Sequence, residues 1–228
     1  IVDQDVLDAE SGSGTTQVGK GTLPVTEDIF GTYWLTDETG YEVGYNGLVV
    51  KITNSGDNWT YQHSGTKWTL KDVEFVNSMT GFAVGDAGTI IKTTDGGEKW
   101  EELNTPTTNN ISDVDFIGTD IGYAVCEGGL ILKTNNGGSS WTEMQPGTND
   151  LYSVSFTGVD KGYAVGESGS VLVTENGGST WDFQVITGLS ADLNKIFFLF
   201  VQFTSLTVAG TVRGVSMGLR ACEAGLLP

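Results

Sequence analysis

The sequence predicts an all-β protein: a β-propeller of four-stranded blades, with four clear blades and a partial fifth, forming a five-bladed or an incomplete ring. Three observations carry this. Gly-aromatic-x-Val recurs at Gly40, Gly81, Gly122 and Gly162. A tryptophan follows each glycine at one fixed distance, at Trp59, Trp100, Trp141 and Trp181. An aromatic precedes each at another, at Trp34, Phe75, Phe116 and Phe156. Three markers held in register through four copies are not a chance pattern. A period of about 40 residues with four short strands per unit is that of a propeller blade.

The strands of one unit are read most easily in the fourth copy. Leu151 to Phe156 alternates around Val154 and Phe156, and Gly162 to Val165 follows as the second strand. Glu167-Ser168-Gly169 makes a tight hairpin turn, with the glycine free to take positive φ. Ser170 to Thr174 is the third strand; Asn176-Gly177-Gly178 then turns the chain, and Trp181 opens the fourth. A single unit cannot bury both its faces, so neighbouring blades must supply the core.

The second turn is a recurring motif. Thr93, Asp95, Gly97 and Trp100 fit the pattern Ser/Thr-x-Asp-x-Gly-x-x-Trp, known as the Asp-box. Thr134, Asn136, Gly138 and Trp141 repeat it with asparagine, as do Thr174, Asn176, Gly178 and Trp181. The first copy is degenerate, keeping Asn54 and Trp59 but placing Ile52 where the hydroxyl belongs. A short Asp or Asn side chain can accept the N–H groups of its own turn, and the indole can anchor blade packing. The box is therefore expected to be structural, with no catalytic residue in it.

The chain divides into three parts. Residues 1–22 carry no repeat marker and read as a linker or disordered lead-in. Residues 23–198 are the propeller, in units of about 23–64, 65–105, 106–146 and 147–187, with a fifth beginning at Leu193. Residues 199–228 depart from the pattern. No tryptophan follows Trp181, Glu223 is the one acid after Asp192, and both arginines, Arg213 and Arg220, fall there. Two explanations stand: an out-of-frame translation of a gene whose repeats continued, or a diverged closing segment.

Net charge is −18, which argues against nucleic acid, since phosphate binding needs clustered Lys and Arg. No apolar run is long enough for a membrane span. His63 is the one histidine and is expected at the surface; with no ligand partners nearby it indicates no metal site, and no cofactor is called for. Cys126 is expected to be a buried free thiol. The hairpin turns of three units carry Asp86, Glu127 and Glu167 at equivalent positions, on the face opposite the Asp-box turns. These would form an acidic arc able to bind a cation or a basic ligand.

GYAVGESGSVLVTENGGSTW and GFAVGDAGTIIKTTDGGEKW resemble repeats of the photosystem II stability and assembly factor-like propellers, a likeness that covers about residues 28–198. The resemblance implies a non-catalytic, protein-binding assembly scaffold, lumenal or periplasmic in photosynthetic organisms. It also points to secreted or cell-surface relatives in non-photosynthetic bacteria. The present chain is expected among the latter, secreted or periplasmic, and truncated or frameshifted at its C-terminus. Asp-boxes occur in sialidases and glycosidases too. A sialidase is implied to need an arginine cluster that residues 1–212 lack. A carbohydrate-active propeller, glycosidase or lectin, stands as the alternative, with carbohydrate as its ligand.

Overall fold

Strand-forming sequence punctuated by glycine turns yields four antiparallel sheets. The computed structural model describes residues 18–20, 27–184, 186, 188 and 190–197. Blade 1 is built from β2 (Ile29–Trp34), β3 (Gly40–Gly44), β4 (Val49–Thr53) and β5 (Asn58–Tyr61), with β1 (Val18–Lys20) added along the outer edge of β5. Blade 2 comprises β6 (Leu70–Phe75), β7 (Gly81–Gly85), β8 (Ile90–Thr93) and β9 (Glu101–Glu102). Blade 3 comprises β10 (Ile111–Ile117), β11 (Ile121–Cys126), β12 (Ile131–Thr134) and β13 (Thr142–Met144). Blade 4 comprises β14 (Leu151–Phe156), β15 (Gly162–Gly166), β16 (Val171–Thr174) and β17 (Asp182–Phe183).

Two boundaries differ from expectation. Trp181 precedes the fourth strand of its blade rather than opening it, because the Asp-box turn runs through the indole before the backbone pairs again. Within the expected lead-in, Val18–Lys20 is a strand, since β5 offers an unpaired edge that an extended segment satisfies. The remainder of residues 1–17, and the tail 199–228 with its Cys222, Arg213 and Arg220, lie outside the described residues. Among the described residues the ring is open.

The blades pack by a device repeated at each junction. An aromatic from the second strand of one blade stacks on the last aromatic of the next blade's first strand: Tyr41 on Phe75 at 3.9 Å, Phe82 on Phe116 at 3.9 Å, Tyr123 on Phe156 at 3.8 Å. The Asp-box tryptophan of the receiving blade meets that same ring edge-on, as Trp100 on Phe75, Trp141 on Phe116 and Trp181 on Phe156. Offset and edge-on pairs suit the ring quadrupole and bury large apolar area. Blade 1 has Trp34 in the receiving slot, and there the ring stays 48% exposed.

A lysine completes each junction. Lys51, Lys92 and Lys133 lie over the stacking aromatic of their own blade and donate to the carbonyls of Gly96, Gly137 and Gly177, at 2.9, 2.7 and 2.6 Å. Those carbonyls belong to the Asp-box turns of the following blade. Blade 4 carries Val173 at this position.

Residues 190–197 form no strand yet keep the register of a fifth inner strand. The Ile196 N–H donates to Ser153 Oγ at 3.2 Å. One junction earlier the Val154 N–H donates to Asp113 Oδ2 at 2.8 Å, and before that the Val114 N–H donates to Asp72 Oδ2 at 3.2 Å. These contacts fall where the sequence expects a fifth unit to begin, at Leu193.

Candidate functional site

The Asp-box residues build closed turns. In blade 2, Thr93 Oγ1 donates to Asp95 Oδ1 at 2.8 Å and accepts the Gly97 N–H at 2.9 Å, while Asp95 Oδ1 accepts the Lys99 N–H at 2.9 Å. The Lys99 N–H, with help from Thr93 and the other turn amides, holds the Asp95 carboxyl below its ordinary value. Thr134, Asn136 and Gly138 repeat the arrangement, as do Thr174, Asn176 and Gly178. Gly97 sits at φ +88° with the Tyr41 ring where a Cβ would lie. Trp59, Trp100 and Trp141 are buried and Trp181 partly so. Asn54 differs: it lies in a 3-10 turn at φ 52°, and Ile52 supplies no hydroxyl to close an Asp-box around it. Thr93, Thr134 and Thr174 are each engaged in their own turn.

The opposite ends of the blades form an acidic face. The turns Asp86–Gly88, Glu127–Gly129 and Glu167–Gly169 each present a middle-residue N–H to a side chain from the start of the next blade. Ala87 N–H donates to Asn110 Oδ1 at 2.9 Å, Gly128 N–H to Asp150 Oδ1 at 2.7 Å, and Ser168 N–H to Asp192 Oδ1 at 2.8 Å. Of the three residues singled out in the sequence, two come together: Lys71 reaches Asp86 at 3.0 Å and Glu127 at 3.7 Å. Glu167 does not join that pair; its carboxylate accepts the Asp150 N–H at 3.4 Å. The acids of Asp150 and Asp192 were not anticipated, although their position just before each inner strand, shared with Asn110, marks them. Tyr152 stands among Asp192, Asp150, Glu167 and Glu127; loss of water contact, and then those charges, raise its hydroxyl pKa.

A second cluster lines the axis. Asp72 and Glu74 on β6, and Asp113 and Asp115 on β10, accept N–H groups of the next inner strand; Glu74 takes Phe116 at 2.9 Å and Asp115 takes Phe156 at 2.9 Å. Burial, followed by the neighbouring carboxylates, pushes Asp72 and Glu74 well above the usual carboxylate range. Burial raises Asp115 to about 6. The signal for this cluster was present in the alternating acids of KDVEF and SDVDF, which blade 4 replaces by YSVSF. Among the described residues no group of three or more His, Cys, Asp or Glu is arranged to hold a metal ion. His63 is exposed. Cys126 is buried and free, its thiol pushed up to about 12 chiefly by burial.

Four-stranded antiparallel blades, three of them with the Asp-box turn between their third and fourth strands, define the chain as a repeat-built β-propeller. Residues 51–149 and 98–186 match the family described as Photosynthesis system II assembly factor YCF48, and the chain belongs to that family. YCF48 from Cyanidioschyzon merolae aligns over 75% of this chain and 61% of its own length, at 20% identity and a TM-score of 0.59. The chain thus spans 61% of that protein. A GH74 enzyme from Niastella koreensis aligns over 71% of this chain and 30% of its own, at 20% identity and a TM-score of 0.59. The C-terminal WD40 domain of Sif2 aligns over 71% and 47%, at 18% identity and a TM-score of 0.54. At such identities the likeness is one of fold. No curated protein matches the chain. No helix among the described residues is long and apolar enough to cross a membrane.

Proposed function

We propose that the chain is a non-catalytic, secreted or periplasmic scaffold that binds a protein partner through its acidic turn face, in the manner of an assembly factor. The observation that carries this is the crowding of Asp86, Glu127, Asp150, Glu167 and Asp192 on one face, with Lys71 set between the first two. Turn acids held by the fold itself present charge without losing side-chain freedom on binding, which favours fast, oriented encounter with a basic segment. Family membership supports a protein as the partner, because an assembly factor acts on other proteins.

A glycosidase would need two carboxylates facing each other across a sugar-wide cleft. The axial carboxylates are instead tied to the backbone of the neighbouring blade. The test is affinity capture from the native extract with the wild type and with D86N/E127Q/E167Q, alongside a panel of glycosides on the same sample. The expected result is a captured protein whose binding weakens in the triple variant and with added salt. Glycoside turnover abolished by changing a single face carboxylate would overturn the proposal. Cell fractionation checks the location.

A further inference from the structure

The face that carries the tight turns has an aromatic side on blade 1 and an acidic remainder. Three repeat positions build it. The first is a β-bulge near the start of each inner strand, held by Phe30, Lys71, Ser112 and Tyr152. A bulge re-aims its side chain out of the strand's alternation. Lys71 shows the direction, since it reaches the turn acids Asp86 and Glu127. Phe30 holds the same place in blade 1. The second position opens each turn, as Tyr45, Asp86, Glu127 and Glu167. The third is Trp68 in blade 2, Asn109 in blade 3 and Asn149 in blade 4, each one residue before the carbonyl that accepts the turn's first N–H. Asn109 and Asn149 donate Nδ2 to the carbonyls of Glu127 and Glu167, at 3.1 and 3.4 Å, so this position rests against its blade's own turn. Trp68 therefore stands beside the turn of Asp86, where the aromatic and acidic sides meet. Phe30, Tyr45 and Trp68 are 55%, 51% and 44% exposed.

Both sides are open to a ligand. Phe30, Tyr45 and Trp68 belong to none of the apolar clusters that form the core. The Trp68 ring already has a cation over it, the Lys67 ammonium at 5.6 Å from its centroid. On the acidic side, blade 4 has Tyr152 at the bulge position, among Glu127, Asp150, Glu167 and Asp192. Among the described residues no ion pair reaches Asp150, Glu167 or Asp192. Lys71 is thus an internal example of the side chain that such turns accept, supplied by the chain itself in blade 2 and not in blade 4.

We propose that this face recognises a polypeptide segment carrying basic and apolar side chains together. The apolar ones seat on Phe30, Tyr45 and Trp68, and a lysine or arginine enters over Tyr152 as Lys71 does in blade 2. The inference rests on the reading of the turn face as a protein-binding surface and adds the chemistry of the partner. Charge by itself would select any cationic chain; the aromatic side makes apolar content a second requirement. Exposed aromatics rimmed by polar residues mark an interaction surface, and Trp and Tyr are the side chains that most often carry binding energy. The acids disfavour anionic lipid and nucleic acid on the same face.

Fluorescence anisotropy of the full chain with three labelled probe peptides of equal length, at physiological salt, tests this: alternating Arg-Leu, alternating Arg-Ser and alternating Glu-Leu. The Arg-Leu probe should bind about tenfold more tightly than the Arg-Ser probe, and the Glu-Leu probe should not bind. Y45S/W68S should bring the Arg-Leu probe down to the Arg-Ser affinity and leave the Arg-Ser affinity unchanged. E127Q/E167Q should weaken both arginine probes. Equal affinity of the wild type for the Arg-Leu and Arg-Ser probes overturns the inference, whatever the variants do. A partner still captured from the native extract would then leave the scaffold reading standing without it. Tryptophan fluorescence quenched by cellohexaose in the wild type and not in Y45S/W68S would assign the aromatics to a glycan. A wild-type dimer lost in that variant would assign them to a second copy. Either result overturns the inference.

Discussion

The Lys92 ammonium donates to the Gly137 carbonyl at 2.7 Å, so that a strand of blade 2 is fastened to the Asp-box turn of blade 3. The Asp-box is thus more than a closed turn. Its glycine carbonyl is the acceptor by which the preceding blade takes hold, with the lysine stem lying over the Phe82 ring. Replacing Lys92 by methionine keeps the stem and removes the charge. The expected loss is about 1–2 kcal/mol of unfolding free energy, from a charge-assisted hydrogen bond and a ring contact. Lys99, exposed and paired with Glu101, should lose much less on the same change, because solvent screens that pair. Urea denaturation of both variants checks this; equal losses would mean that the junction lysine contributes only as a surface charge.

Inside the turn, Thr134 is buried and its hydroxyl accepts the Gly138 N–H at 3.0 Å. Thr134→Val preserves shape but leaves that N–H without a partner, a loss of about 1–3 kcal/mol. Blade 1 already carries the apolar residue at this position as Ile52, and its turn has taken a different conformation, with Asn54 and Ser55 both at positive φ. Ile52→Thr should therefore restore little, less than about 0.5 kcal/mol, because the turn it would close is not in place. Thermal melts of the two variants decide it.

The repeat made the blades and their strand order legible, because glycine, aromatic and tryptophan recur at positions that geometry fixes. Cys126 shows how fine that legibility is. Its counterparts Gly44, Gly85 and Gly166 sit where a Cβ would lie 1.9–2.1 Å from a carbonyl oxygen of their own blade's first strand or its approach. Blade 3 accommodates the thiol by taking φ −131°, ψ 166° where those glycines take ψ near −150°. The alternating acids of β6 and β10 stand in the sequence, but what these acids and the junction lysines bind was not legible in the same way. Their partners are backbone atoms 41 to 45 residues away, and backbone groups leave no residue-type signal. Glu167 matched Asp86 and Glu127 in the alignment of copies, yet β14 has Tyr152 where β6 supplies Lys71, so no cation draws it into the pair.

The axial acids set the pH dependence of the fold. Burial raises the folded-state pKa of Asp72, Glu74 and Asp115 above the values these groups have in the unfolded chain. A raised folded value means that the native state binds protons more tightly, so this stabilisation is full below the unfolded values and is lost as pH rises through the folded ones. The melting temperature should accordingly rise on going from pH 8 to pH 5. Asp115→Asn should remove the part of that rise centred near pH 6, on the order of 2 kcal/mol. A melting temperature that falls steadily from pH 8 to pH 5 would contradict it.

Gly85 gives the sharpest test of blade closure. A Cβ there would stand 1.9 Å from the Thr69 carbonyl oxygen, the atom that accepts the Asp86 N–H at 2.9 Å and so fixes the acidic turn to its own blade. Alanine can enter only if the backbone shifts toward the conformation Cys126 adopts, which moves Thr69 or breaks that bond. The expected cost of Gly85→Ala is about 1–3 kcal/mol, with faster amide exchange at Asp86. Cys126→Ala, at a site whose backbone already holds a Cβ, should cost only the lost thiol packing, about 1 kcal/mol. Amide exchange at Glu127 should be unchanged in that variant. If the two substitutions cost the same and leave both turns equally protected, the close approach of Gly85 to Thr69 does not hold the acidic face in place.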